Sequence, residues 1–129
     1  MPESETLGKP SSVVKKVEGT LTFGSGETYP LTKTFVKSEL GEPHFLEGYI
    51  DLSNLVAGEP VDIIFSMLIE SGGSYKEYAR ETYDGAPDQP LLYVVTRPAV
   101  YGIKVEGYME SAPAADRSLP YQFLVRRVA

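Results

Sequence analysis

The chain has 129 residues, no cysteine, one histidine, and 18 acidic against 12 basic side chains, for a formal net charge of -6. That length suits one domain with a single hydrophobic core, and the missing cysteine excludes disulfides and thiolate metal sites. The acidic balance argues against nucleic acid as a partner, and a single imidazole leaves little for proton transfer at neutral pH.

Residues 1 to 11 mix Met, Pro, Ser, Glu, Gly and Lys without periodicity, the composition of a flexible N-terminal arm, so residues 12–129 are expected to form the folded domain. The start of the chain carries no apolar stretch of the secretory type, and no apolar run approaches the roughly 20 residues that cross a bilayer, so a soluble protein without membrane contact is expected. Order begins near Val13, with Val17, Gly19, Leu21 and Phe23 on one face of an extended segment and Lys16, Glu18, Thr20 and Thr22 on the other. Gly24-Ser25-Gly26 reads as a tight reversal into a second segment carrying Tyr29, Leu31, Lys33 and Phe35 on one face, so the two are expected to pair as a hairpin.

After Gly41-Glu42-Pro43, the residues Leu46, Gly48, Ile50 and Leu52 alternate with Glu47, Tyr49 and Asp51, and Asp51–Leu55 has the caps for one helical turn. A Gly58-Glu59-Pro60 turn then leads into the clearest alternation, Val61, Ile63, Phe65, Met67 and Ile69. Those odd-numbered residues are expected to face the core of a central strand. Tyr75–Tyr83 reads as a strand because it is short, rich in Tyr and Thr, and bounded by Gly72-Gly73 and Asp84-Gly85. Leu91–Thr96, Tyr101–Met109 and Tyr121–Val128 complete the set, separated by Arg97-Pro98-Ala99 and by a loop from Ser111 to Leu119. About eight strands at roughly 8–12-residue spacing predict an all-β, antiparallel two-sheet β-sandwich, with jelly-roll or immunoglobulin-like connections left open.

Catalytic patterns are thin. A Ser-His-Asp arrangement would have to recruit His44, which reads as a loop histidine without a task. Glu77 and Glu81 read as a solvated strand face rather than paired carboxylates. Asp51, Asp84 and Asp88 lack the spacing of a calcium loop. Gly24-Ser25-Gly26 lacks the Lys-Ser/Thr ending of a phosphate loop, and Arg126-Arg127 points to a salt-bridged terminus more than to an anion site. No catalytic residue, metal site or cofactor is therefore expected. Nine tyrosines without a tryptophan are more informative, because tyrosine suits surfaces buried on association or laid against sugars. Tyr75, Tyr78, Tyr83, Tyr93 and Tyr101 crowd one stretch and are the candidate interface, against the plainer reading of half-packed strand residues.

Three stretches carry a resemblance: Tyr49–Leu55 with Ala57-Gly58-Glu59; Tyr78–Gly85; and Tyr101–Val105 leading to Arg117-Ser118-Leu119-Pro120-Tyr121. In order and spacing they resemble uncharacterised small β proteins encoded with the structural genes of tailed bacterial and archaeal viruses, over roughly Phe45 to Arg127. That resemblance implies a non-enzymatic virion or capsid-associated protein (decoration, neck or tail), located in the particle and bound in many copies to itself or to another virion protein. It supplies no catalytic residues. The alternative is a lectin-like module in which sheet-borne tyrosines stack on sugar rings. Association is expected to use the N-terminal arm together with the tyrosine-rich region.

Overall fold

The computed structural model describes residues 11–128, so of the arm expected at residues 1–11 only Ser11, the first residue of a strand, falls within the described residues. Eight strands follow one another: β1 (Ser11–Phe23), β2 (Leu31–Ser38), β3 (His44–Asp51), β4 (Val61–Leu68), β5 (Lys76–Tyr83), β6 (Leu91–Val95), β7 (Gly102–Met109) and β8 (Arg117–Val128). Two four-stranded sheets result, in the orders β1-β8-β3-β6 and β2-β7-β4-β5, with every pairing antiparallel.

The connectivity decides between the two topologies left open by the sequence. β4 pairs with β5, β3 with β6, β2 with β7 and β1 with β8, which is one long nested hairpin. Rolling it up adds the pairs β3–β8 and β4–β7, and every connection except β4–β5 then crosses from one sheet to the other. This is the jelly roll.

The expected β1–β2 hairpin does not form: β1 pairs with β8 and β2 with β7, in opposite sheets. The reason lies in the apolar faces. In one hairpin Phe23 and Phe35 would share a face with nothing opposite, whereas across the sandwich they close on each other over Gly107, where a Cβ would stand 3.1 Å from the Phe35 ring and 3.3 Å from the Phe23 ring. A register shift between Thr34 and Val36 turns both Phe35 and Val36 inward, where simple alternation would expose one of them. β8 starts at Arg117, inside the stretch expected to be loop, because Ser118 and Leu119 continue the ladder with Thr22 and Leu21.

Leu46 and Ile50 of β3 point fully inward, as their alternation predicts, and Gly48 between them lets the β8 backbone come close. A Cβ there would stand 2.1 Å from the Gln122 carbonyl oxygen. In β4 the alternation holds only in part. Val61 and Ile63 are fully buried, but Phe65 and Met67 are half-buried and Ile69 is 66 % exposed, beyond the end of the strand. Ile64, Ser66 and Leu68 on the opposite face are buried instead. β4 lies between β7 and β5, and long side chains roof its outer face: Ile64 stands between Glu106 and Arg80 in register, and Tyr75 lies over Gly102, the residue opposite Leu68. The Asp51–Leu55 segment makes one turn, closed by Leu55 N–H to Leu52 C=O at 3.2 Å and capped by Asp51 accepting from Ser53 N–H at 2.9 Å.

Candidate functional site

Two features of the second sheet give its outer face a closed, polar character. Arg80 bridges Asp62 at 2.7 Å and Glu77 at 2.9 Å, which holds the Glu77 carboxyl below its ordinary value, and its guanidinium lies 5.5 Å from the Tyr108 ring centroid. Lys37 and Lys104 lie over the ring of Tyr75, whose hydroxyl donates to Glu39 at 2.5 Å; burial and that bond push the phenol upward.

The first sheet differs. Its edge strand β6 has the sequence Leu91-Leu92-Tyr93-Val94-Val95, and alternation buries Val94 while leaving Leu91, Tyr93 and Val95 at 58, 49 and 55 % exposure. Tyr49 on β3 stands directly opposite Tyr93, with ring centroids 5.4 Å apart. The Tyr93 hydroxyl donates to Glu47 Oε2 at 2.6 Å, and Arg126 Nε donates to Glu47 Oε1 at 2.5 Å. The Tyr93 hydroxyl, then the Arg126 guanidinium, hold the Glu47 carboxyl below its ordinary value, and the same carboxylate raises the Tyr93 phenol. Tyr93 is thus fixed in place with its ring exposed.

Two concavities flank this strand. An open groove of about 600 Å³ crosses the outer face of the first sheet, with Tyr49 and Leu91 among Glu18, Thr20, Asp51 and Gln122. A second, of about 280 Å³, runs along the seam between the β5 and β6 edges, where Phe65, Tyr78, Leu92, Tyr93 and Arg97 meet. There the Arg97 guanidinium lies 5.1 Å from the Tyr78 ring centroid, and Arg97 N–H donates to the Tyr78 hydroxyl at 3.2 Å.

The five tyrosines that crowd the sequence therefore do not form one patch. Tyr78 and Tyr93 meet at the seam. Tyr75 lies on the outer face of the other sheet; Tyr83 packs against the core, with its hydroxyl on Glu81 and its phenol pushed up to about 12 by burial and that bond; and Tyr101 stands beside Glu39, Leu40 and Ser71. Tyr49, Leu91, Val95 and Arg97 escaped the sequence reading. The uncharged run Leu91–Val95 was a usable signal, whereas the partnership of Tyr49 with Tyr93 depends on strand order.

His44 is also corrected. It is the first residue of β3 and fully buried, bridging Ser38 Oγ at 2.9 Å through Nε2 and the Glu42 carbonyl oxygen at 2.8 Å through Nδ1. A carbonyl only accepts, so Nδ1 carries a proton, and in the neutral ring Nε2 accepts from the Ser38 hydroxyl. The Ser38–His44 pair has the spacing of a nucleophile and base, but Ser38 is itself buried and a backbone carbonyl stands where a triad has its carboxylate. Among the described residues no group of three or more His, Cys, Asp or Glu lies together as a metal cluster; Asp51 caps its turn and Asp84 accepts from Gly58 N–H at 2.7 Å. The two C-terminal arginines are ion-paired, Arg126 with Glu47 and Arg127 with Glu42.

No family model and no curated protein matches the chain. Among solved structures it is similar to the VP2 subviral particle of infectious bursal disease virus, with a TM-score of 0.45 and 12 % identity. That alignment covers 92 % of this chain and 32 % of the other, so the chain spans about a third of the neighbour's length.

Proposed function

We propose that the protein is a non-enzymatic structural component of a virus particle that works by associating in several copies. The observation that carries this reading is the β6 margin: Leu91, Tyr93 and Val95 stand exposed side by side on one uncharged edge strand, with the Tyr93 hydroxyl tied to Glu47, which Arg126 holds in turn. Rigid, exposed aromatic and aliphatic side chains are what association buries with little entropic loss. The jelly roll is compatible with this reading by fold-level analogy, since it recurs in capsid domains, although it recurs in lectins too. The resemblance of Tyr49–Leu55, Tyr78–Gly85 and Tyr101–Tyr121 to proteins of tailed-virus structural modules bears on the particle, as decoration, neck or tail component. Burial of the Ser38–His44 pair supports a role without catalysis. Sedimentation velocity on the full chain over a hundredfold concentration range tests the reading: a concentration-dependent oligomer is expected, and a monomer throughout contradicts it.

One observation favours a second reading. The groove of about 600 Å³ on the first sheet sets the Tyr49 ring among Glu18, Asp51 and Gln122, an apolar platform ringed by hydrogen-bonding groups, which is the chemistry of a sugar site. Glycan titration monitored by NMR separates the two readings. Saturable shifts confined to the groove and lost in Tyr49→Ala would favour the lectin-like module.

A further inference from the structure

The margins of the two sheets are treated unequally. β1 carries Lys15, Lys16 and Glu18 and a register shift after Val13; β2 carries Lys33 and Lys37 and a shift at Phe35; β5 carries Lys76, Glu77, Arg80 and Glu81 and a shift at Tyr78. Charges and bulges of this kind keep an edge from pairing with another chain. β6 has neither: its five residues are uncharged and its ladder with β3 is regular.

Its hydrogen-bonding groups are also aimed outward. Thr96 N–H donates to Leu46 C=O and Leu52 N–H to Pro90 C=O, so even-numbered residues of β6 bond to β3. By the alternation of an antiparallel ladder, the N–H and C=O groups of Leu91, Tyr93 and Val95 point to the open side. The ends of the strand are complementary in charge. Asp88 precedes it and Arg97 follows it; both are exposed, and among the described residues neither is in an ion pair.

We infer that β6 pairs antiparallel with β6 of a second copy of this chain about a two-fold axis at Tyr93, joining the two first sheets into one eight-stranded sheet. This rests on the association reading above and names its contact. The register follows from the outward groups: Tyr93 faces its own counterpart and Leu91 faces the second copy's Val95, which allows about six interchain backbone hydrogen bonds. The same axis brings Arg97 of each copy opposite Gln89 and next to Asp88 of the other, so charges that lack an ion-pair partner among the described residues of one molecule are matched at both ends of the contact. On the outer face, Tyr49, Tyr93 and their two counterparts form a continuous aromatic row.

The chain has no cysteine, so a single introduced thiol reports the register without interference. Under mild oxidation of the full chain, Tyr93→Cys should give a covalent dimer, since directly opposed residues lie within disulfide reach. Leu91→Cys should not, because two copies of residue 91 are then separated by four residues of strand, roughly 13 Å. In sedimentation, Arg97→Asp and Asp88→Arg should each weaken the dimer about tenfold, and the double exchange should restore it to within about threefold of the original. Val95→Lys, at an exposed position where the fold is not at stake, should abolish the dimer. If the unaltered chain associates but Tyr93→Cys does not cross-link and the charge exchange changes nothing, a different surface or strand is used. The β6 contact is then overturned while the association reading stands. A chain that stays monomeric overturns both.

Discussion

At the scale of the residue, burial and hydrogen bonding separate side chains that look alike in the sequence. His44 is a buried link between β2 and β3, so His44→Ala should destabilise the fold by about 2–4 kcal/mol, through the cavity and the unpaired Ser38 hydroxyl it leaves. Denaturant titration checks this, and an unchanged midpoint would return His44 to the role of a bystander. Ile63 is fully buried and Phe65 half-buried, so Ile63→Ala should cost about 4 kcal/mol and Phe65→Ala only about 2 kcal/mol, although Phe65 is the larger side chain. Five carboxyls, Glu27, Glu47, Asp51, Glu59 and Glu77, sit below their ordinary values because hydroxyls, backbone N–H groups or cations bond the charged form. A depressed folded-state pKa contributes stability above the unfolded value, 4.5 for the glutamates, and that contribution is lost as pH falls through the folded value. Thermal melts should therefore show the midpoint falling as the pH is taken from 5 towards 3, with Glu59→Gln losing less over that interval because no carboxylate remains beside Arg117 to be protonated.

At the scale of the element, the strands are amphipathic ribbons whose neighbours are chosen by fit. Gly48 shows how tight that fit is: with a Cβ 2.1 Å from the Gln122 carbonyl, Gly48→Ala must push β3 from β8 and should cost about 3 kcal/mol. A melting temperature equal to the parent would show that the two strands yield more easily than their register implies. Strand existence was legible because period-2 alternation survives in most segments. Pairing was not, since Gly24-Ser25-Gly26 is a local turn signal that says nothing about whether the returning strand joins the same sheet or crosses to the other.

For the whole molecule, nested pairing of β1 with β8 and β2 with β7 makes most contacts non-local, so refolding should take milliseconds to seconds or longer; microsecond refolding by stopped-flow or temperature jump would contradict it. The alternating segments and the Gly/Pro turns between them were enough to determine an all-β sandwich of about eight strands, because period and turn chemistry are local properties of the chain. What only the tertiary structure decided was the jelly-roll connectivity, the burial of His44, the scattering of Tyr75, Tyr83 and Tyr101, and the meeting of Tyr49 with Tyr93 beside an uncharged edge. Each of these depends on which strands become neighbours after the long hairpin rolls up, and that choice is made by complementary apolar faces far apart in sequence.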